Sequence, residues 1–97
     1  MIYYVAHKFE NKSENLNKAL RATHDLAIHD LQNTYICPLT SLLHFGTHEI
    51  PKKDEMEQRF DLLCCCEKII VCSNVTEDVQ QEIDMAKKLN MEVIYLD

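Results

Sequence analysis

The sequence predicts a small three-layer α/β domain with a four-stranded parallel sheet and three helices. Four short runs of β-forming residues alternate with segments of helical spacing, which is the pattern of βαβ units. The runs are continuously apolar, as expected for parallel strands that are covered on both faces. The chain has 97 residues, 46% of them hydrophobic, so we expect one domain over residues 1–97.

The predicted strands are residues 2–6, 35–37, 69–72 and 93–96. Parallel neighbours require crossover connections, and these are right-handed in nearly all known sheets. We expect the strand order 2-1-3-4, by analogy with flavodoxin-like sheets.

Each predicted helix has an apolar stripe at steps of three and four residues. The stripes are Leu16, Ala19, Leu20, Thr23, Ala27 and Leu31 in the first helix, Met56, Phe60 and Leu63 in the second, and Val79, Ile83, Ala86 and Asn90 in the third, with Leu89 at its edge. Ser13 and Thr76 are the expected N-caps of the first and third helices.

The segment 39–54 is longer than a minimal connection. It contains Gly46 and Pro51, and also the apolar residues Leu42, Leu43, Phe45 and Ile50. Apolar residues in a long loop indicate a lid or a subunit contact, or they pack on the end of the sheet.

The composition excludes several functions. The formal net charge of −6 gives no general attraction to nucleic acid or to an anionic membrane, so we expect neither partner. Gly46 is the single glycine, which excludes a glycine-rich phosphate loop. The apolar start is too short for a signal-peptide core or a membrane span, and we expect a soluble, cytoplasmic protein.

Cysteine and histidine spacing gives little support for a metal. The five cysteines are odd in number, and Cys64, Cys65 and Cys66 are consecutive, so we interpret them as reduced thiols, buried as small side chains rather than redox or metal groups. The pair His44 and His48 has no third ligand at a suitable distance. No metal and no cofactor are expected.

Ligands of open parallel sheets bind beyond the carboxyl ends of the strands. The residues there are His7, Lys8 and Phe9 after the first strand, Pro38, Thr40 and Ser41 after the second, and Ser73, Asn74 and Thr76 after the third. His7 is placed either to donate to a ligand or to cap and pack. Lys8 is the only cation that the sequence puts near this edge, and Glu77 and Asp78 disfavour a phosphate at the third helix.

Glu82 is the most informative residue, because it falls inside the apolar stripe of the third helix. We expect its carboxylate to be half-buried, near the ligand end of that helix, with its pKa raised by burial. Alternatively, its stem packs on the sheet edge while its head meets solvent.

Three stretches resemble nucleoside 2-deoxyribosyltransferase-like proteins over nearly the whole chain. Residues 2–9 (IYYVAHKF) resemble the family's opening strand and loop, and residues 60–71 its helix and following strand. Residues 76–89 resemble the signature helix, with Glu82 followed by Ala86 and a basic-basic-Leu ending. The resemblance is nearest to short, often phage-encoded members whose activity is unassigned.

The resemblance implies that Glu82 is the nucleophile, which attacks the anomeric carbon of a nucleoside and releases the base. Asp61 is the candidate second carboxylate. His7 and Lys8 are expected to contact base or phosphate, and the other expected ligand-binding residues are Phe9, Pro38, Ser73, Asn74, Thr76 and Asp78.

Two positions depart from the family pattern. Asp78 replaces a glycine four residues before the glutamate, and Glu67 replaces the aspartate that opens the third strand. The hypotheses are therefore a deoxyribosyltransferase-like or N-glycosidase enzyme, a non-catalytic module that senses or sequesters a nucleotide-derived signal, and an interaction protein that uses segment 39–54. We expect a homo-oligomer in each case, because the sheet has open edges and a limited core.

Overall fold

The computed structural model describes residues 1–41 and 50–96. Its elements in chain order are β1 (Ile2–Ala6), α1 (Ser13–His29), β2 (Thr34–Ile36), α2 (Pro38–Ser41), α3 (Lys52–Leu63), β3 (Lys68–Val71), α4 (Glu77–Lys88) and β4 (Glu92–Tyr95).

The four strands form one parallel sheet in the order β2-β1-β3-β4, which confirms the predicted fold class and strand order. Each strand lies within one residue of its predicted bounds. The described residues contain four helices instead of three, because a single turn, α2, begins at Pro38 directly after β2. Proline favours the first turn of a helix, where its missing N–H has no partner to lose.

Successive residues of β1 point to opposite faces of the sheet and join two separate cores. Tyr4 and Ala6 pack with β3, α3 and α4, whereas Val5 packs with Ala19 of α1 and with Cys37. The sheet therefore has α3 and α4 on one face and α1 on the other.

The predicted stripe of α1 is wrong at two positions. Leu20 is 56% exposed, and Leu31 is 86% exposed and lies beyond the helix end at His29. Only Asn15 and Ala19 of this helix are fully buried. The predicted Ser13 cap is also wrong, because Ser13 is the first helical residue and the N-cap is Lys12, which makes no side-chain cap bond.

The start of α4 agrees with the sequence, and its end does not. Thr76 is the N-cap, and its hydroxyl accepts a hydrogen bond from the backbone N–H of Val79. Asn90, expected in the apolar stripe, instead follows the helix with a φ of 59°, and Leu89 is 40% exposed. Asparagine tolerates this left-handed conformation, so Asn90 ends the helix rather than packing on the sheet.

The segment 39–54 is partly helical, since α2 includes buried Leu39 and α3 begins at Lys52. The predictions for Leu42, Leu43, Phe45 and Gly46, and for His44 and His48, concern residues outside those described.

The five cysteines are free. Cys37 and Cys66 are buried and Cys72 is half-buried, but Cys64 and Cys65 are exposed, contrary to the expectation of buried thiols. Both lie in the turn after α3, where the chain has left the helix face that packs on the sheet. Across residues 1–41 and 50–96, no helix is both long and apolar enough to cross a membrane.

Thr76→Ala should lower the free energy of unfolding by about 1 kcal/mol, because the cap bond to Val79 is lost. Ser13→Ala is the matched control and should change it by less than about 0.5 kcal/mol, since Ser13 caps nothing. Urea denaturation followed by circular dichroism measures both. Equal losses in the two variants would contradict this assignment of the caps.

Candidate active site

The side chain of Glu82 is 1% exposed, more deeply buried than the half-buried carboxylate that the sequence predicts. It lies in the second turn of α4, among the core residues Val79, Ile83 and Ala86 that pack on the sheet. The alternative in which the carboxyl group of Glu82 is in contact with solvent is therefore wrong. A carboxyl group at such a site needs partners within the protein.

Glu82 has two partners, one from the sheet and one from α3. The hydroxyl of Tyr4, in the middle of β1, donates a hydrogen bond to Oε2 of Glu82. Nη1 of Arg59 lies 3.4 Å from Oε1, and the Arg59 side chain is itself 1% exposed. Each carboxyl oxygen thus faces a donor, and the contact to Oε1 is at the long end of the hydrogen-bond range.

A line of alternating charges continues from Arg59 towards the surface. Nη2 of Arg59 lies 3.8 Å from Oδ2 of Asp78, and the same carboxylate oxygen forms an ion pair with Nζ of Lys52, which is exposed. Asp78 is in the first turn of α4 and Lys52 begins α3. The line therefore joins the starts of the two helices to the buried Glu82.

Burial raises the pKa of Glu82 to about 7, because removal of water disfavours the charged carboxylate. The nearby Arg59 cation and the hydrogen bond from Tyr4 both lower that pKa, and the Asp78 carboxylate raises it. Burial and the Glu82 charge raise the pKa of Tyr4 well above its ordinary value, so the phenol keeps its proton and acts as a donor.

The loops after β1 and β3 are hydrogen-bonded to each other at the carboxyl edge of the sheet. The backbone N–H of Lys8 donates to Oγ of Ser73 over 2.8 Å. His7 is buried, and its Nδ1 donates to the carbonyl oxygen of Lys8 over 2.8 Å. Phe9 is half-buried, and its carbonyl oxygen accepts from Nδ2 of the buried Asn15 over 2.8 Å.

The remaining predicted site residues are spread over this edge and beyond it. Asp78 is joined to Glu82 through Arg59, and Thr76 caps α4. Pro38 is buried at the start of α2, Asn74 is exposed, and Asp61 is on the exposed side of α3, where its carbonyl oxygen accepts from the Cys65 thiol. Glu67 is exposed, and its Oε2 accepts from the backbone N–H of Ile2 over 2.7 Å.

The sequence interpretation missed Tyr4, Arg59 and Lys52. Arg59 could have been found, because it lies three residues after Met56 and four before Leu63, inside the predicted apolar stripe of its helix. The expectation that Lys8 is the only cation near the site is wrong, since Arg59 and Lys52 both belong to the charged line. No sequence signal distinguishes the Tyr4 hydroxyl from the other tyrosines of the chain.

A separate cleft of about 330 Å³ lies on the opposite face of the sheet, between α1 and the ends of β3 and β4. It is lined by Ala22, Asp25, Leu26, His29, Cys72 and Leu96, and by none of the predicted site residues. Within the part of the chain that the structure describes, no three His, Cys, Asp or Glu side chains are grouped to hold a metal ion.

No family model matches this chain, and no curated protein matches it in sequence.

The raised pKa of Glu82 predicts a pH dependence of stability. The unfolded glutamate loses its proton near pH 4.5 and the folded one near pH 7, so the contribution of Glu82 to stability is greatest below pH 4.5 and is lost as the pH rises through 7. The loss due to this residue should be on the order of 3 kcal/mol, which is the shift from 4.5 to about 7 expressed as free energy.

Denaturation of the wild type and of Glu82→Gln at a series of pH values isolates the contribution of the Glu82 carboxyl group to stability, because glutamine cannot titrate. The difference between their free energies of unfolding should change over the interval from pH 4.5 to 7. Glu77→Gln, an exposed change on the same helix, is the matched control for the loss of a carboxylate. A difference that is flat with pH for Glu82→Gln would show that the buried carboxyl has an ordinary pKa.

Proposed function

We propose that this chain binds a nucleoside or nucleotide and that Glu82 acts as a nucleophile at the anomeric carbon of the sugar. The buried carboxyl group of Glu82, held between the Tyr4 hydroxyl and the Arg59 guanidinium, is the observation that carries this proposal. The resemblance of residues 76–89 to the signature helix of nucleoside 2-deoxyribosyltransferase-like proteins supports the same role.

The proposed chemistry has two steps. An oxygen of ionised Glu82 forms a bond to C1′ while the C1′–N glycosidic bond breaks, and the bonding electron pair leaves with the base, which takes a proton from water. Water or a second base then attacks C1′ and releases the carboxylate. The first acceptor would make the chain an N-glycosidase and the second a deoxyribosyltransferase.

The contacts of Glu82 suit this role. Burial raises the pKa of Glu82 to about 7, so a substantial fraction is ionised at neutral pH, and a desolvated carboxylate strongly stabilises a developing oxocarbenium ion. Oε1 is the better candidate for attack, because its contact to Arg59 is 3.4 Å whereas Oε2 accepts from Tyr4. The hydrogen bond from Tyr4 would then fix the orientation of the carboxyl group.

The approach of a ligand would be from the starts of α3 and α4. Lys52 and Asp78 lie there at the outer end of the charged line, and helices that follow parallel strands begin at the carboxyl edge of the sheet, where ligands bind in such folds. Since Glu82 is 1% exposed, a sugar reaches Oε1 only when the Arg59 side chain moves aside. Lys52 and Lys8 are the candidate cations for a 5′-phosphate.

A second candidate is a non-catalytic module that binds a nucleotide-derived compound. The observation that favours it is that both Glu82 oxygens face donors of the protein itself, while Asp78 adds a negative charge at the helix start. In that case the charged line stabilises the packing of α3 on α4, and the ligand binds outside it.

Two further parts of the proposal come from the sequence. The odd number of thiols, three of them consecutive, favours a reducing compartment such as the cytoplasm. The open edges of a four-stranded sheet favour a homo-oligomer.

Incubation of the protein with nucleosides, 2′-deoxynucleosides and nucleoside 5′-monophosphates, with chromatography of the free base, tests the enzymatic proposal. We expect base release by the wild type and a rate lower by roughly a hundredfold or more for Glu82→Gln, which keeps the shape of the side chain but not the nucleophile. The wild-type rate should rise with pH through about 7, as burial raises the pKa of Glu82 to that value and the ionised form attacks.

Glu77→Gln removes a carboxylate from the exposed side of the same helix and should keep the wild-type rate. Melting temperatures of the same mixtures distinguish the two candidates, because a ligand that binds the folded state raises the melting temperature even when it is not cleaved. Stabilisation with the ligand recovered intact would support the binding module. No stabilisation and no base release would contradict both.

A further inference from the structure

The strand β4 forms one edge of the sheet and has few of the features that keep edge strands from pairing. Its four residues, Glu92–Tyr95, include no Lys, Pro or Gly. The charge of Glu92 is countered by Lys68 of the neighbouring strand, with Nζ 3.2 Å from Oε1. Tyr95 is 56% exposed, and Leu96, just beyond the strand, is 40% exposed.

The backbone of β4 has a defined outer side. The N–H of Leu96 donates to the carbonyl oxygen of Val71 in β3 over 2.8 Å, so Leu96 faces the neighbouring strand. Residues of a parallel ladder alternate between facing the neighbour and facing away. The backbone N–H and C=O groups of Ile94 therefore point towards β3, as those of Leu96 do. The N–H and C=O groups of Val93 and Tyr95 point away from the sheet.

We propose that β4 is the contact surface for a second copy of this chain, paired antiparallel across a two-fold axis that passes through Ile94. Such an axis is perpendicular to the sheet, so the two sheets become one of eight strands and each face stays continuous. Only residues of the same face can then lie opposite one another, which leaves few registers.

The register centred on Ile94 matches the outward groups of β4. It places Val93 opposite Tyr95 of the second copy. On the other side of the axis, Tyr95 lies opposite Val93 of the second copy. Each pair exchanges two N–H···O=C bonds, so the four outward groups of each copy are used in four hydrogen bonds. A register centred on Val93 would pair that residue with itself and leave Tyr95 opposite Met91, beyond the strand.

The side chains are compatible with this pairing. Val93 would pack beside the exposed ring of Tyr95 from the second copy, and aromatic with β-branched pairs stabilise antiparallel strands. Glu92 would lie opposite Leu96, so the two glutamates are kept apart at the ends of the contact although each chain has a net charge of −6.

A second copy is favoured over a foreign strand because the same four residues supply both halves of this register. It is also favoured at β4 over the other edge, since β2 has three residues and its exposed side chain is the polar Thr34, whereas Tyr95 and Leu96 are exposed apolar side chains at the end of β4. The contact does not depend on Glu82 or on the activity proposed for it.

Light scattering after size-exclusion chromatography, over a wide range of concentration, tests the contact. The wild type should elute at twice the mass of one chain. Val93→Pro removes an outward N–H that makes no bond within the sheet, and Tyr95→Lys puts a charge in the contact, so each should shift the mass to that of one chain with unchanged circular dichroism. Leu20→Lys, an exposed apolar position on α1, is the control and should leave the dimer intact.

Disulfide trapping tests the register. In a chain with Cys64→Ser and Cys65→Ser, Ile94→Cys should form a covalent dimer on oxidation, because Ile94 faces its own copy with Cα atoms about 4.5 Å apart. Val93→Cys should not, because Val93 faces Tyr95. A wild type that is monomeric at every concentration, a dimer weakened by Leu20→Lys alone, or equal trapping at 93 and 94 would overturn the proposal.

Discussion

The burial of the Glu82 carboxyl group is the constraint on which the packing of this half of the molecule depends. A carboxyl group with 1% exposure must be hydrogen-bonded or neutral, and here the donors are Tyr4 from the central strand and Arg59 from α3. One side chain of α4 thus contacts both the sheet and the neighbouring helix of its own layer. Arg59 also lies 3.8 Å from Asp78, so the guanidinium contacts α4 at two successive turns.

The same contacts set the chemical character of the site. Burial raises the pKa of Glu82 to about 7 against the opposing effects of Arg59 and Tyr4, so both the neutral and the ionised forms of the carboxyl group are populated near neutral pH. The partners that hold the carboxylate also occupy its oxygens. In the proposed function, movement of Arg59 would therefore be the step that turns a structural carboxyl group into a nucleophile.

Much of the fold follows from local patterns in the sequence. The apolar runs predict the four parallel strands within one residue, and the Thr76 cap fixes the start of α4. Leu31 lies beyond the end of α1 and Leu20 lies on its exposed side, because helical spacing shows neither where a helix ends nor how wide a face the sheet covers. Position inside an apolar stripe identified Glu82 as unusual, but its partners Tyr4 and Arg59 are 78 and 23 residues away in the chain. Pairing over such separations depends on tertiary structure, which no local pattern contains.

A direct test of this account is the titration of Glu82 itself, by carbon NMR of protein labelled at the glutamate side-chain carboxyls. The Glu82 resonance is assigned by its absence from Glu82→Gln. Because burial raises the pKa of Glu82 to about 7, its chemical shift should change with a midpoint near that pH. A midpoint near 4.5, the ordinary value, would contradict the claim that burial outweighs the opposing effects of Arg59 and Tyr4 on the pKa of this carboxyl group.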